Sequence, residues 1–114
     1  MNQVISKQQT QVQAPSQKAE RIFDLALNAF NNGQRYHAMQ TAKYALQQAR
    51  KSGSSLRVDI CQFLAFLKLE LGQPRLAEYY ACLAQQYLDR QSPTFGSDRT
   101  YLNALLSHIR GVAA

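Results

Sequence analysis

From Glu20 onward the apolar residues recur at steps of three and four. On a helical wheel Ile22, Leu25, Ala26 and Ala29 share one face, Phe23, Leu27 and Phe30 share a second, and Glu20, Arg21, Asp24, Asn28 and Asn31 make up the polar remainder. This spacing predicts a helix over 17–32, whose first apolar face packs on the helix that follows. The same reading predicts helices over 35–51, 55–71, 74–90 and 98–110. Ser-Gly-Ser-Ser and Gln-Ser-Pro-Thr-Phe-Gly-Ser separate them as loops. The segment from Val58 to Gly72 is apolar nearly all round, as expected of an element covered on both sides, and the inward-facing Lys68 is expected to run its amine out to water along its own stem.

The pattern also repeats. Leu25–Ala45 and Leu64–Ala84 both read L-A-x6-G-x4-A-x3-A-x2-A, with Leu25/Leu64, Ala26/Ala65, Gly33/Gly72, Ala38/Ala77, Ala42/Ala81 and Ala45/Ala84 matched at an offset of 39. Ala104 and Gly111 continue that offset beyond Ala65 and Gly72, and Glu20, Asp59 and Asp98 share it. A fixed period in the range of about 20–50 residues marks stacked helical units, each too small to bury its apolar face alone. Gly33, Gly72 and Gly111 are each expected to end a first helix as a left-handed cap. Pro74 suits the first turn of the next helix, and the acidic residues suit the positive helix ends. The alanines form a narrow stripe along which two helices can approach closely.

Small residues at Ala26, Ala38 and Ala45 around Gly33, and at Ala65, Ala77 and Ala84 around Gly72, resemble the tetratricopeptide repeat over about residues 19–111. The period of 39 exceeds that family's about 34, the extra residues falling around Lys51–Ser55. Ile22 and Cys61 stand where the family has an aromatic residue, and Ala29 and Lys68 where it has a tyrosine. The resemblance implies an all-α, right-handed antiparallel helical-hairpin solenoid over 18–112. Repeat 1 would span about 18–51 and repeat 2 about 57–90, with a closing helix at about 98–110. It further implies a concave groove formed by the first helices. The groove would be lined by Phe23, Leu27 and Phe30, then Gln62, Phe66 and Leu69, then Tyr101, Leu105 and His108. Such a groove takes an apolar helix or extended segment of a partner protein. Cochaperones of the family grip a carboxylate with Lys and Asn at the second and sixth positions of their first helices. Here those positions hold Glu20 and Asp24, then Asp59 and Phe63, so that clamp is absent. A chaperone or adaptor is the implied role, and small bacterial type III secretion chaperones are its narrower form.

Length and composition sharpen this in places. With 114 residues, 5 glycines and 3 prolines, one helical domain is expected. Residues 1–17, with six glutamines and no apolar period, are expected to be a disordered tail. Cys61 and Cys82 belong to no Cys-x-x-Cys or Cys/His set, so they are expected to be reduced thiols in a cytoplasmic protein, with no metal and no cofactor. No apolar run is long enough for a leader peptide or a membrane span. Phosphate-cradling glycine loops and the Gly-x-Ser-x-Gly elbow are missing, and His37 and His108 have no ligand or catalytic set in the sequence, so no enzyme activity is expected. The net charge of +6 is spread along the chain. It leaves a basic nucleic-acid-binding or regulatory helical protein as the alternative. Lys43 and Arg50 share a face of the second helix, but the tyrosines are not expected to interleave with the basic residues on a common face. A second copy of the chain is a further candidate occupant of the groove.

Overall fold

The computed structural model describes residues 15–91 and 96–113. It is all-helical among the described residues: α1 Pro15–Asn31, α2 Arg35–Ser52, α3 Leu56–Glu70, α4 Pro74–Gln91 and α5 Gly96–Ala113. The expected tail lies outside the described residues as far as residue 14, but its last three residues are helical, because α1 begins at Pro15. A proline is tolerated at a first helical position, where its missing N–H would have no intrahelical partner. Pro74 opens α4 in the same way.

Glycines end two of these helices as expected. Gly33 has φ +81°, with its N–H donating to Phe30 O (2.9 Å) and the N–H of Gln34 donating to Ala29 O (2.9 Å). Gly72 has φ +76° and repeats the pair of bonds onto Leu69 O (3.0 Å) and, from Gln73, onto Lys68 O (2.8 Å). This paired bonding satisfies carbonyls that a helix end would otherwise leave open, and the left-handed backbone is one that a side chain resists. Gly111 departs from expectation. It has no positive φ and lies inside α5, which runs on to Ala113. Gly72→Ala should therefore destabilise the fold by about 1 kcal/mol, while Gly111→Ala should stabilise it by about 0.5 kcal/mol. Urea unfolding of the two variants checks the opposite signs.

Packing follows chain order, α1 on α2, α2 on α3, α3 on α4 and α4 on α5, with a further contact of α1 with α3. The alanine stripe is fully buried: Ala26 of α1, Ala38, Ala42, Ala45 and Ala49 of α2, Ala65 of α3 and Ala77, Ala81 and Ala84 of α4 are all at 0% exposure. Across the sheath of α3, the buried Ile60, Cys61, Leu64 and Leu67 meet Leu46, Leu88 and Leu102 in the main core. A smaller cluster joins Ala65, Ala77 and Ala81 to Leu106 and Ile109 of α5.

Burial at matched positions differs from helix to helix. In α1 the inward set is Ala19, Ile22, Ala26 and Ala29, and its counterparts Val58, Cys61, Ala65 and Lys68 in α3 are buried too. In α5 the counterparts Ala104 and Ser107 are exposed, and Leu102, Leu106 and Ile109 are buried instead. The offset that Ala104 continues from Ala65 thus does not carry burial with it, since α5 has no following helix among the described residues to lie against it. Leu25 is a second correction. It is 56% exposed, whereas its counterpart Leu64 is 0% exposed, because among the described residues α1 has no preceding helix against it, as α3 has in α1.

Exposed ion pairs join adjacent helices. Arg35 meets Glu70 at 3.5 Å, Arg110 Nε donates to Glu78 at 2.7 Å, and Arg99 pairs with Asp89. At such exposure each adds little to stability beside the apolar core. No helix among the described residues is long and apolar enough to cross a membrane.

Candidate partner-binding groove and a basic tyrosine cleft

The groove positions on α1 and α3 border the core, Phe23, Phe30 and Phe66 packing against its main cluster and Leu69 against the smaller one. Phe23, Leu27, Phe30, Gln62, Phe66 and Leu69 are all half-buried there. Their rings interlock. Phe63 stands edge-on to Phe23 and to Phe30, each with centroids 5.7 Å apart, and Phe30 stands edge-on to Phe66 at the same distance. Edge-to-face pairs of this kind are worth about 0.5–1.5 kcal/mol beyond the area they bury. The ladder ties α1 to α3 while leaving part of each ring uncovered.

Phe63 is the residue that the sequence reading missed as a groove component, although it is the hub of the ladder. Its signal was its place at the sixth repeat position, where a polar clamp residue was sought and an aromatic one found. The α5 part of the groove is less uniform. Leu105 packs against the smaller core cluster, whereas Tyr101 and His108 are exposed. They are not among the residues that build the ring ladder.

A second feature lies between α2 and α4, which flank α3. A cleft of about 190 Å³ is lined by Lys43, Leu46, Gln47, Arg50, Tyr79 and Tyr80. Tyr79 and Tyr80 meet edge-on at 5.1 Å. Arg50 Nε donates to the Tyr87 hydroxyl at 2.9 Å. Arg57 of α3 lies over the Tyr87 ring, 4.4 Å from its centroid. The expectation that basic residues and tyrosines do not share a surface is corrected here. They are far apart in sequence, and the packing of α2 and α4 on α3 brings them together.

Burial, reinforced by Lys43, holds the Lys68 amine below the usual lysine range. Its stem is buried, and no buried side-chain nitrogen or oxygen among the described residues lacks a partner, so the amine reaches water as expected. Burial pushes the Tyr80 hydroxyl up, aided by Tyr79 and Cys61 and opposed by Arg50. The Cys61 thiol, at 0% exposure, is pushed up to about 12 by burial, against the pull of Arg50 and Arg57. It is a core thiol held neutral. Cys82 is half-buried, and both cysteines are free. No group of three or more His, Cys, Asp or Glu residues among those described could hold a metal ion. His37 is exposed in the first turn of α2.

Comparison with protein-family models, with curated proteins and with solved structures gave no match.

Proposed function

We propose that the chain is a tetratricopeptide-like solenoid that holds an apolar helix or extended segment of a partner protein, as a chaperone or adaptor. Its two antiparallel hairpins would stack with a right-handed turn and close on α5. A bacterial type III secretion chaperone is the narrower form of this reading. The observation that carries it is the half-buried ladder Phe23–Phe63–Phe30–Phe66, which crosses from α1 to α3 with Leu27 beside it. Covering what remains exposed of these side chains would stabilise a complex at about 25 cal/mol per Å² of apolar surface.

The burial pattern supports the stacked-hairpin part of the reading. A middle first helix buries one face in its own hairpin and another against the previous one. A terminal first helix buries one of the two. That is how α3 differs from α1 and α5. At the positions matching Phe63 and Leu67, moreover, α1 carries the polar Asp24 and Asn28. A polar outer face is what an end unit of a helical array needs.

The test is affinity capture from nuclease-treated host extract, with Phe30→Asp/Phe66→Asp compared with the unaltered chain. Because those rings pack on the core, Leu27→Asp/Tyr101→Asp serves as a second variant, and circular dichroism checks that each folds. A specific protein partner should be retained by the unaltered chain and depleted at least about tenfold by both variants. Undiminished capture by the folded variants, or capture that nuclease alone abolishes, would overturn the reading.

A further inference from the structure

The cleft between α2 and α4 shares no residue with the ring ladder and is built from different chemistry. Lys43 and Arg50 line it, Lys68 lies close enough to Lys43 to feel its charge and has its amine at the surface, and Leu46 and the tyrosine pair supply apolar wall. Among the described residues no carboxylate is paired with any of these three cations. The ion-paired acids lie elsewhere: Glu70 with Arg35, Glu78 with Arg110 and Asp89 with Arg99. Three like charges gathered without an anion raise the local potential and favour an anionic ligand. The hydrogen bond from Arg50 Nε to Tyr87 OH fixes the guanidinium in orientation. A held guanidinium suits the planar, two-point recognition of a carboxylate or phosphate.

Size and ring geometry decide what carries the anion. A volume of about 190 Å³ falls below the about 300–1,000 Å³ typical of pockets that enclose a whole small molecule or cofactor. It is enough for one or two side chains. Single-stranded nucleic acid needs a track of cations and aromatic platforms on which successive bases stack. Here the cations are few, and Tyr79 and Tyr80 meet each other edge-on at 5.1 Å, so no base can enter between them. Tyr79 nevertheless leaves 54% of its surface exposed beside the cleft, as a wall for an apolar neighbour of the anion.

We propose that this cleft docks an acidic peptide segment of a partner protein. One Asp or Glu side chain sits between Lys43 and Arg50, and an adjacent apolar side chain lies against Tyr79 and Leu46. The site does not depend on the groove reading, and the two can fail separately.

The test titrates the ¹⁵N-labelled full chain with a synthetic peptide of about twelve residues repeating Glu-Leu-Glu-Glu, followed by amide shifts. Saturable shifts should centre on Lys43, Arg50, Tyr79 and Tyr80. Lys43→Glu should weaken binding about tenfold or more, the scale of a lost close charge pair. Tyr79→Ala should weaken it severalfold. Both side chains are exposed, so the fold should survive, and the dispersion of the amide spectrum checks it. Arg21→Glu on the exposed side of α1, and the groove variant Leu27→Asp/Tyr101→Asp, should bind as the unaltered chain does. The proposal is overturned if the Gln-for-Glu peptide binds equally well, if folded Lys43→Glu binds unchanged, or if the shifts lie elsewhere. Tighter binding of a twelve-nucleotide oligothymidylate at the same amides would also overturn it, by assigning the cleft to nucleic acid.

Discussion

Leu64→Ala is expected to lower the unfolding free energy by about 3 kcal/mol, and Leu25→Ala by only a few tenths. Both leucines stand at the same position of the repeated pattern, 39 residues apart. Their surroundings differ. Leu64 is 0% exposed in the main core, where Ile60, Cys61 and Leu67 also lie. Truncating it removes buried methyl groups and leaves a cavity that a close-packed interior closes only in part. Leu25 is 56% exposed on α1, so truncation there mostly removes surface that water already touches. A domain of this size has about 5–15 kcal/mol of stability in total. The Leu64 variant should therefore shift the urea midpoint strongly without a large change in slope, and the Leu25 variant should barely move it. Equal losses would show that Leu25 is covered in solution, either by a second copy of the chain or by residues outside those described.

The same pair shows where the sequence speaks and where it stops. Helix positions were legible because their punctuation is local. Gly33 and Gly72 need only their own turn to be read as ends, and Pro74 only its own missing N–H. The central place of α3 was legible because a helix apolar on all sides has few alternatives. Gly111 and Ala104 misled, because a matched position carries its meaning only if the matching neighbour is present. Beside α5 it is absent among the described residues. Of the six groove residues on α1 and α3, Phe23, Leu27 and Phe30 were readable from a wheel as a second apolar face, and Gln62, Phe66 and Leu69 followed by repeat position. Phe63 was not, because the wheel cannot say which face of α3 turns toward α1. The basic tyrosine cleft was illegible for the same reason. Lys43 and Tyr80 become neighbours through the packing of α2 and α4 on a third helix, and no spacing along the chain encodes that.

Raising the pH from 8 to 10.5 should cost the unaltered chain about 2 kcal/mol more stability than it costs Cys61→Ala. An unfolded Cys61 thiol titrates near its ordinary value of 9.0, whereas in the fold burial pushes it up to about 12 despite Arg50 and Arg57. Between those values the unfolded chain has released the proton and the folded chain still holds it. The unfolded state therefore binds fewer protons, and stability falls with pH by about 1.4 kcal/mol per unit in that window. The contribution is complete below pH about 9 and is lost progressively toward 12. Two neighbours titrate in the same range with opposite effects. Tyr80, raised mainly by burial, adds to the loss, while Lys68, lowered mainly by burial, offsets it. The difference between the two proteins cancels both to first order, because the substitution leaves their helices in place. The cavity left by alanine adds an offset that does not depend on pH. Urea midpoints measured at pH 8, 9, 10 and 10.5 should coincide in trend up to about 9 and then diverge, with the unaltered chain losing more. Parallel curves over the whole range would mean that Cys61 ionises normally in the folded protein. The core around α3 would then admit water, which its 0% exposed Ile60, Leu64 and Leu67 do not allow.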